Sequence, residues 1–86
     1  MFVILTYDVG AKRNSKVLKE CRRYLTHVQK SVFEGFITDK QLLALKNKLK
    51  HYIDPESDQI AIYKQGKLKQ VEKETIGYHI VNDNVI

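Results

Sequence analysis

The sequence predicts an α+β fold, and three observations support that prediction. The chain has 86 residues, which is enough for a single domain over 1–86. Short apolar runs typical of strands alternate with two segments of helical period. Their order is strand, helix, strand, strand, helix, strand, with an extra strand at the end. That order indicates the ferredoxin-like, split βαβ arrangement, βαββαβ plus a C-terminal strand.

The first strand, MFVILTYD, is apolar on both faces. Two helices can cover only one face of a small sheet, so something else must cover the second face. A second copy of the chain is the simplest candidate, and we expect a homodimer whose sheets pack face to face. One face of the strand presents Phe2, Ile4 and Thr6, and the other presents Val3, Leu5 and Tyr7.

Two amphipathic helices follow from the spacing of apolar residues. The first is predicted over residues 14–28, where apolar positions recur every three to four residues among lysines and arginines, with Asn14 or Ser15 as its N-cap. The second begins at Thr38, which fits a capping box with Gln41.

The remaining segments read as extended structure. VQKSVFEGFIT (28–38) is predicted as strand with an interruption near Ser31 or Gly35. QIAIY (59–63) is another strand, a glycine turn follows within 64–67, and the last strand is predicted over 71–76. The tail after residue 77 has no clear pattern.

The charge balance predicts an anionic partner. Lysine and arginine total 15 against 10 aspartates and glutamates, a formal charge of +5. Such a surface suits nucleic acid better than a membrane.

The N-terminus lacks the pattern of a signal peptide and no apolar run could span a bilayer, so we expect a cytoplasmic protein. Cys21, the one cysteine, is expected to be a buried residue in a reducing compartment.

Asp8 stands where the first apolar strand stops, and two interpretations are open. An aspartate before a glycine-containing turn often accepts local backbone N–H bonds. Alternatively, Asp8 is a Mg²⁺ ligand, because Mg²⁺ needs few protein carboxylates when it also takes water and phosphate oxygens. One carboxylate is too little for a site, but two Asp8 side chains close to a two-fold axis would be enough.

A basic segment follows Asp8 directly. Lys12, Arg13 and Lys16 are candidates for phosphate contacts, which would position a nucleic-acid backbone without reading its sequence. The alternative is a solvated helix face.

Other patterns point away from particular sites. Phe33 and Phe36 superficially resemble the aromatic strand of an RNA-recognition motif, but an offset of three places them on opposite faces of a strand. His27, His51 and His79 do not have metal-ligand spacing with one another or with the cysteine.

Taken together, the motifs resemble the small CRISPR-associated Cas2 family. The resemblance rests on VILTYDV, KVLKECRRYL, VQKSVFEGFIT, the helix beginning TDKQL, the strand IAIYK and ETIG, and it covers about residues 1–77. The aspartate at the end of the first strand together with the Q-x-S-V-F-E-G stretch is its most specific part.

The resemblance implies fold, activity and partners. It implies a ferredoxin-like homodimer in which residues about 71–77 pair with the partner protomer. It implies a Mg²⁺- or Mn²⁺-dependent endonuclease acting on single-stranded RNA or double-stranded DNA, with Asp8 as the catalytic and metal residue and Tyr7, Ser31 and Phe33 supporting the site. It also implies a role in spacer acquisition and antiviral defence with the Cas1 integrase.

Two other functions remain open at this point. The dimer could be a non-catalytic scaffold that bridges the Cas1 integrase and holds spacer DNA, in which case Asp8 would not matter. A ferredoxin-like regulatory domain that binds a small ligand is the third possibility. Only a nucleic-acid binder should lose affinity steeply as salt rises.

Overall fold

A computed structural model, which describes residues 1–66 and 70–77, shows one antiparallel sheet with two helices packed on one of its faces. The strand order is second, third, first, fourth, fifth, so the first strand is central. This confirms the predicted α+β, ferredoxin-like fold with its extra strand. The elements are β1 (Phe2–Asp8), α1 (Ala11–Arg22), β2 (Thr26–Gln29), β3 (Val32–Phe36), α2 (Asp39–Tyr52), β4 (Gln59–Gln65) and β5 (Val71–Gly77).

β1 is the central strand and it alternates between the two faces of the sheet. Val3 and Leu5 are fully buried against the helices, and Tyr7 is nearly so. The pairs with β3 extend to Thr6, whereas the pairs with β4 continue to Asp8, which faces Gln59. The end of β1 is therefore held in the ladder from the β4 side.

The core lies between the sheet and the helices, as the apolar stripes predict. Its sheet side contains Phe33, Ile60 and Ile62, all fully buried. Cys21 of α1 is also fully buried, which confirms its predicted place, and burial raises the pKa of its thiol to about 12. The helices contribute Val17, Cys21, Leu42, Leu45 and Leu49.

α1 begins and ends earlier than predicted. Its N-cap is Gly10, whose extended backbone leads directly into the first turn and whose carbonyl accepts the N–H of Arg13 at 2.9 Å. Asn14 and Ser15, the predicted caps, are exposed residues inside the helix. The helix ends at Arg22, because the chain that follows turns back into the sheet.

The segment predicted as the end of the first helix is β2. Thr26 and Val28 are β-branched, which favours a strand over a helix. Val28 is 52% exposed, so it does not belong to the buried stripe assigned to it. The predicted interruption near Ser31 is confirmed, because β2 and β3 are separated at residues 30–31, where Lys30 has a φ of 27°.

α2 begins with the predicted capping box. The Thr38 hydroxyl accepts the N–H of Gln41 at 3.1 Å, and the Gln41 side chain accepts the N–H of Thr38 at 3.1 Å. Two otherwise unpaired N–H groups of the first turn are thereby satisfied.

β5 pairs with β4 of its own chain in seven consecutive antiparallel pairs, from Gln65–Val71 to Gln59–Gly77. Pairing of residues 71–77 with a partner protomer, which the resemblance implies, is not tested by a single chain and stays a prediction. The tail at 78–86 and residue 67 of the predicted glycine turn lie outside the described residues. Among the residues described, no helix is long and apolar enough to cross a membrane.

The face of the sheet opposite the helices is partly apolar and uncovered. Phe36 is 80% exposed and Val71 is 65% exposed, and the register places both in one row with Phe2. The rings of Phe2 and Phe36 meet edge to face with centroids 5.2 Å apart. Ile4, from the next row, is 37% exposed. We call this surface the open face.

Candidate metal and nucleic-acid site

Asp8 is the last residue of β1 and lies on the open face of the sheet. Its side chain is exposed, and it has no hydrogen bond or ion pair with any residue of 1–66 or 70–77. Asp8 makes no side-chain bond to Gly10, the N-cap of α1, whose N–H is bound by Asp58 instead. Asp8 therefore does not serve as the local turn or cap residue that one interpretation predicted, and its carboxylate is available.

Asp58, which directly precedes β4, makes the bonds that Asp8 does not. Its carboxylate accepts the N–H of Gly10 at 2.9 Å and the N–H of Asp54 at 2.9 Å. It also accepts two bonds from the guanidinium of Arg13, one from Nε and one from Nη2 at 2.9 Å. Asp58 is only 1% exposed, and the Arg13 guanidinium beside it holds the pKa of the carboxyl well below its usual range.

Arg13 is thus bound to Asp58, whereas the sequence predicts that it contacts phosphate. The Arg13 side chain is 32% exposed, and its Nη2 also lies 3.4 Å from the hydroxyl of Ser57. The guanidinium packs directly against Gly10, where a Cβ would overlap Nη2. Phosphate contact by Arg13 stays a prediction, but its guanidinium already has a partner.

Lys12 and Lys16 are the other two predicted phosphate ligands, and both are exposed on α1. They lie one helical turn apart, so both project from the same face of the helix. The ammonium of Lys16 lies 6.0 Å from the centre of the Tyr52 ring, and neither lysine has an ion pair within the described part of the chain. Their charges are available to an anionic ligand.

Tyr7, Ser31 and Phe33, the predicted supporting residues, lie close together, but the two rings face the helices. Tyr7 is 8% exposed and Phe33 is fully buried, with their rings stacked 6.1 Å apart. The Ser31 carbonyl accepts the N–H of Tyr7 at 3.1 Å. The rings of Tyr7 and Phe33 thus lie on the face opposite Asp8, and Ser31 holds the end of β1 through its backbone.

Within the described residues of one chain, a metal site at the end of β1 would depend on Asp8 alone. In the described ranges, no three His, Cys, Asp or Glu side chains are grouped as metal ligands. A free carboxylate is nevertheless the hard oxygen ligand that Mg²⁺ takes, in company with water and phosphate oxygens. Asp8 fits such an ion as one ligand among several, with the others supplied from outside the described residues.

Sequence reasoning did not identify Asp58. A signal was present, because this acid stands directly beside the buried strand QIAIY just as Asp8 stands beside VILTY. The register brings these two strand ends together, since Asp8 faces Gln59, the neighbour of Asp58.

Comparison with known proteins agrees with this architecture. Residues 1–73 match the family model described as CRISPR associated protein Cas2. The chain belongs to the Cas2 family. A Cas2 relative from Frankia alni, named CRISPR-associated endoribonuclease Cas2, is 40% identical over 86 residues, which cover all of this chain and 99% of that protein. A Cas2 relative from Halalkalibacterium halodurans, named CRISPR-associated endonuclease Cas2, is 42% identical over 83 residues and covers 90% of this chain and 86% of that one.

A solved Cas2 structure has the same fold. The crystal structure of Streptococcus pyogenes Cas2 at pH 6.5 superposes with a TM-score of 0.71 at 38% identity, covering 77% of this chain and 87% of that chain. The family assigned from the sequence motifs is thereby confirmed.

Proposed function

We propose that this chain is a Mg²⁺- or Mn²⁺-dependent endonuclease that hydrolyses phosphodiester bonds in single-stranded RNA, double-stranded DNA or both. We place it in the cytoplasm, in CRISPR spacer acquisition and antiviral defence. The observation that carries the proposal is Asp8, an exposed carboxylate without a partner in the described chain, at the end of the central strand. The nuclease names of the two Cas2 relatives support it.

The complete site needs a homodimer. The open face carries both Asp8 and the exposed apolar side chains Phe36 and Val71. Burial of these apolar side chains would favour dimerisation, and the same surface carries the candidate metal ligand. A two-fold axis through this face would bring the two Asp8 carboxylates to the same interface. Like charges at such an interface repel, and a divalent cation would relieve that repulsion.

Each residue then has a separate task. Asp8 would hold the metal, which when bound supplies charge stabilisation to a phosphodiester under attack. Tyr7 and Phe33 keep the end of β1 rigid, and Ser31 holds it through a backbone bond. Lys12 and Lys16 would bind substrate phosphates, which fixes the backbone without selecting a sequence.

The deciding experiment is cleavage of labelled single-stranded RNA and double-stranded DNA by the purified protein, with Mg²⁺ or with EDTA. Asp8→Ala should abolish cutting while leaving the oligomeric state unchanged. Asp39→Asn is the matched control, because Asp39 is also an exposed aspartate but stands at the start of α2. Cutting that needs Mg²⁺, is lost in Asp8→Ala and is kept in Asp39→Asn supports the proposal, and the substrate lanes identify the target.

The opposite result favours the scaffold function. If neither substrate is cut, or if Asp8→Ala cuts as well as the wild type, Asp8 is not a catalytic residue. The dimer that bridges the Cas1 integrase would then be the better account. Measuring nucleic-acid affinity against salt concentration distinguishes the nuclease and the scaffold from a small-ligand domain. For a protein that binds the nucleic-acid backbone, the logarithm of the binding constant falls with the logarithm of the salt concentration, with a slope of about −0.9 per neutralised phosphate.

A further inference from the structure

Asp8 is held less securely by the sheet than the residues before it. The ladder between β1 and β3 ends at Thr6–Val32, and the N–H of Tyr7 makes the last bond on that side, to Ser31. Within the part of the chain that the structure describes, the pair between Asp8 and Gln59 alone continues the sheet beyond Tyr7. The position of Asp8 therefore depends on the first residues of β4.

Asp58 adds a second attachment immediately beyond Asp8. Its carboxylate accepts the N–H of Gly10, two residues after Asp8, while its neighbour Gln59 pairs with Asp8 itself. Asp58 and Gln59, the first residue of β4, thus fix the segment on which Asp8 lies. The chain cannot shift there without breaking a bond to a buried charge.

The Asp58 carboxylate is itself fully occupied. An ionised carboxylate has about four lone-pair sites, and four N–H groups reach this one, from Gly10, Asp54, and Nε and Nη2 of Arg13. Asp58 consequently has no free oxygen lone pair for a metal ion. Its oxygens bind two backbone N–H groups and the Arg13 guanidinium, and not a ligand.

Arg13 completes the arrangement from the other side. Its guanidinium binds Asp58 through two bonds and packs on Gly10, where a Cβ would overlap Nη2 of Arg13. Paired N–H donors in this fork geometry fix the orientation of a carboxylate better than a single ammonium does. We call Gly10, Arg13 and Asp58 the Asp58 cluster.

We propose that Asp58 is a positioning residue for Asp8: bound by Arg13, it fixes the segment 9–10 and so sets the place of the Asp8 carboxylate at the open face. This inference rests on the proposed function for its effect on cleavage, but not for its effect on the backbone. It also gives Arg13 a task other than phosphate binding.

The test compares Asp58→Asn, Arg13→Gln and their double variant with the wild type. Glu20→Gln is the control, because Glu20 is also a buried carboxylate, 5% exposed, that accepts a bond from Tyr52 on the helix layer. We expect Asp58→Asn and Arg13→Gln each to lower kcat roughly 10- to 100-fold, the usual size of effects from groups that orient metal ligands. KM for the nucleic acid should stay within about twofold and the salt slope should not change, because the inference assigns both side chains to the backbone and not to phosphate. The double variant should be no worse than either single one, since both remove the same unit.

A backbone measurement tests the inference without any cleavage. Amide hydrogen exchange at Gly10 should be at least about tenfold faster in Asp58→Asn, while Leu5 in the middle of β1 keeps its protection. The amide chemical shift of Asp8 should change in Asp58→Asn and not in Glu20→Gln. If the wild type cuts nothing, the proposed function fails, and these two readouts still decide whether Asp58 positions Asp8.

Three results would overturn the inference. Unchanged exchange at Gly10 would mean that Asp58 does not fix the segment. Equal acceleration at Gly10 and Leu5 would mean that Asp58 only stabilises the whole fold. A raised KM and a salt slope reduced by about 1 in Arg13→Gln, but not in Asp58→Asn, would assign Arg13 to phosphate.

Discussion

Phe33 and Phe36 lie three residues apart on β3, and replacing each with alanine should have very different costs. Phe33 is fully buried, with its ring stacked on His27 at 4.6 Å and on Tyr7 at 6.1 Å. Phe36 is 80% exposed and meets only the ring of Phe2 among the described aromatic residues. The two variants delete the same atoms from opposite faces of one strand.

The expected magnitudes follow from burial. Removing a buried phenylalanine side chain costs about 3–5 kcal/mol, through lost transfer free energy and the cavity left behind. A domain of this length is stable by roughly 4–13 kcal/mol, so Phe33→Ala should remove a large part of the free energy of unfolding. Phe36→Ala should cost at most about 1 kcal/mol in the isolated chain, the value of one aromatic pair.

Urea unfolding followed by circular dichroism measures both values, at a dilute and at a high protein concentration. The cost of Phe33→Ala should not depend on concentration, because its contacts lie within one chain. If a second copy covers the open face, the cost of Phe36→Ala should rise with concentration. A cost below about 1 kcal/mol for Phe33→Ala, or equal costs in dilute solution, would refute the assignment of the two faces.

Two further predictions concern titrating side chains. Because burial raises the pKa of the Cys21 thiol to about 12, a disulfide reagent at pH 8 should label the folded protein far more slowly than the urea-unfolded protein, and equally fast labelling would contradict its burial. Glu74 lies 2.7 Å from the ammonium of Lys46 and 3.1 Å from that of Lys64, which lower its pKa. A carboxyl group whose pKa is lowered in the folded state stabilises the fold at pH values above its usual pKa of about 4.3. That stabilisation is lost as the pH falls through the lowered pKa. Glu74→Gln should therefore cost up to about 1 kcal/mol near pH 7 and progressively less toward pH 3. Urea unfolding at several pH values measures this cost, with Glu72→Gln as the control. A loss in the free energy of unfolding of Glu74→Gln that grows as the pH falls would show that the ion pairs with Lys46 and Lys64 do not stabilise the fold.

The fold could be predicted because its determinants are local patterns. The two apolar faces of β1 and the capping box of Thr38 and Gln41 each lie within a few residues, and each is read from spacing alone. The opposite faces of Phe33 and Phe36 follow from the same period of two. The capping box and the opposite faces of the two phenylalanines are confirmed, because each depends only on residues close together in the sequence. A partner that covers the second apolar face of β1 stays a prediction.

The Asp58 cluster could not be predicted in this way. Arg13 and Asp58 lie far apart in the sequence, and periodicity does not show which acid a given arginine will meet. The same contact holds the start of α1, since Asp58 binds the N–H of its N-cap, Gly10, from outside the helix. Sequence rules describe caps within a segment, whereas this bond comes from the residue that precedes β4.

The central position of β1 has a consequence for how the protein folds as it is synthesised. Phe2 faces Phe36 on one side and Gln65 on the other, so β1 gains its first neighbouring strand only when β3 has been made, and its second only with β4. Until then β1 has no strand beside it, and α1 is the one element made that shares its core. Closing such long loops before any contact is gained slows folding. The newly made chain should therefore acquire its sheet late and in one cooperative step, with its first eight residues exposed to aggregation for most of the time that translation takes.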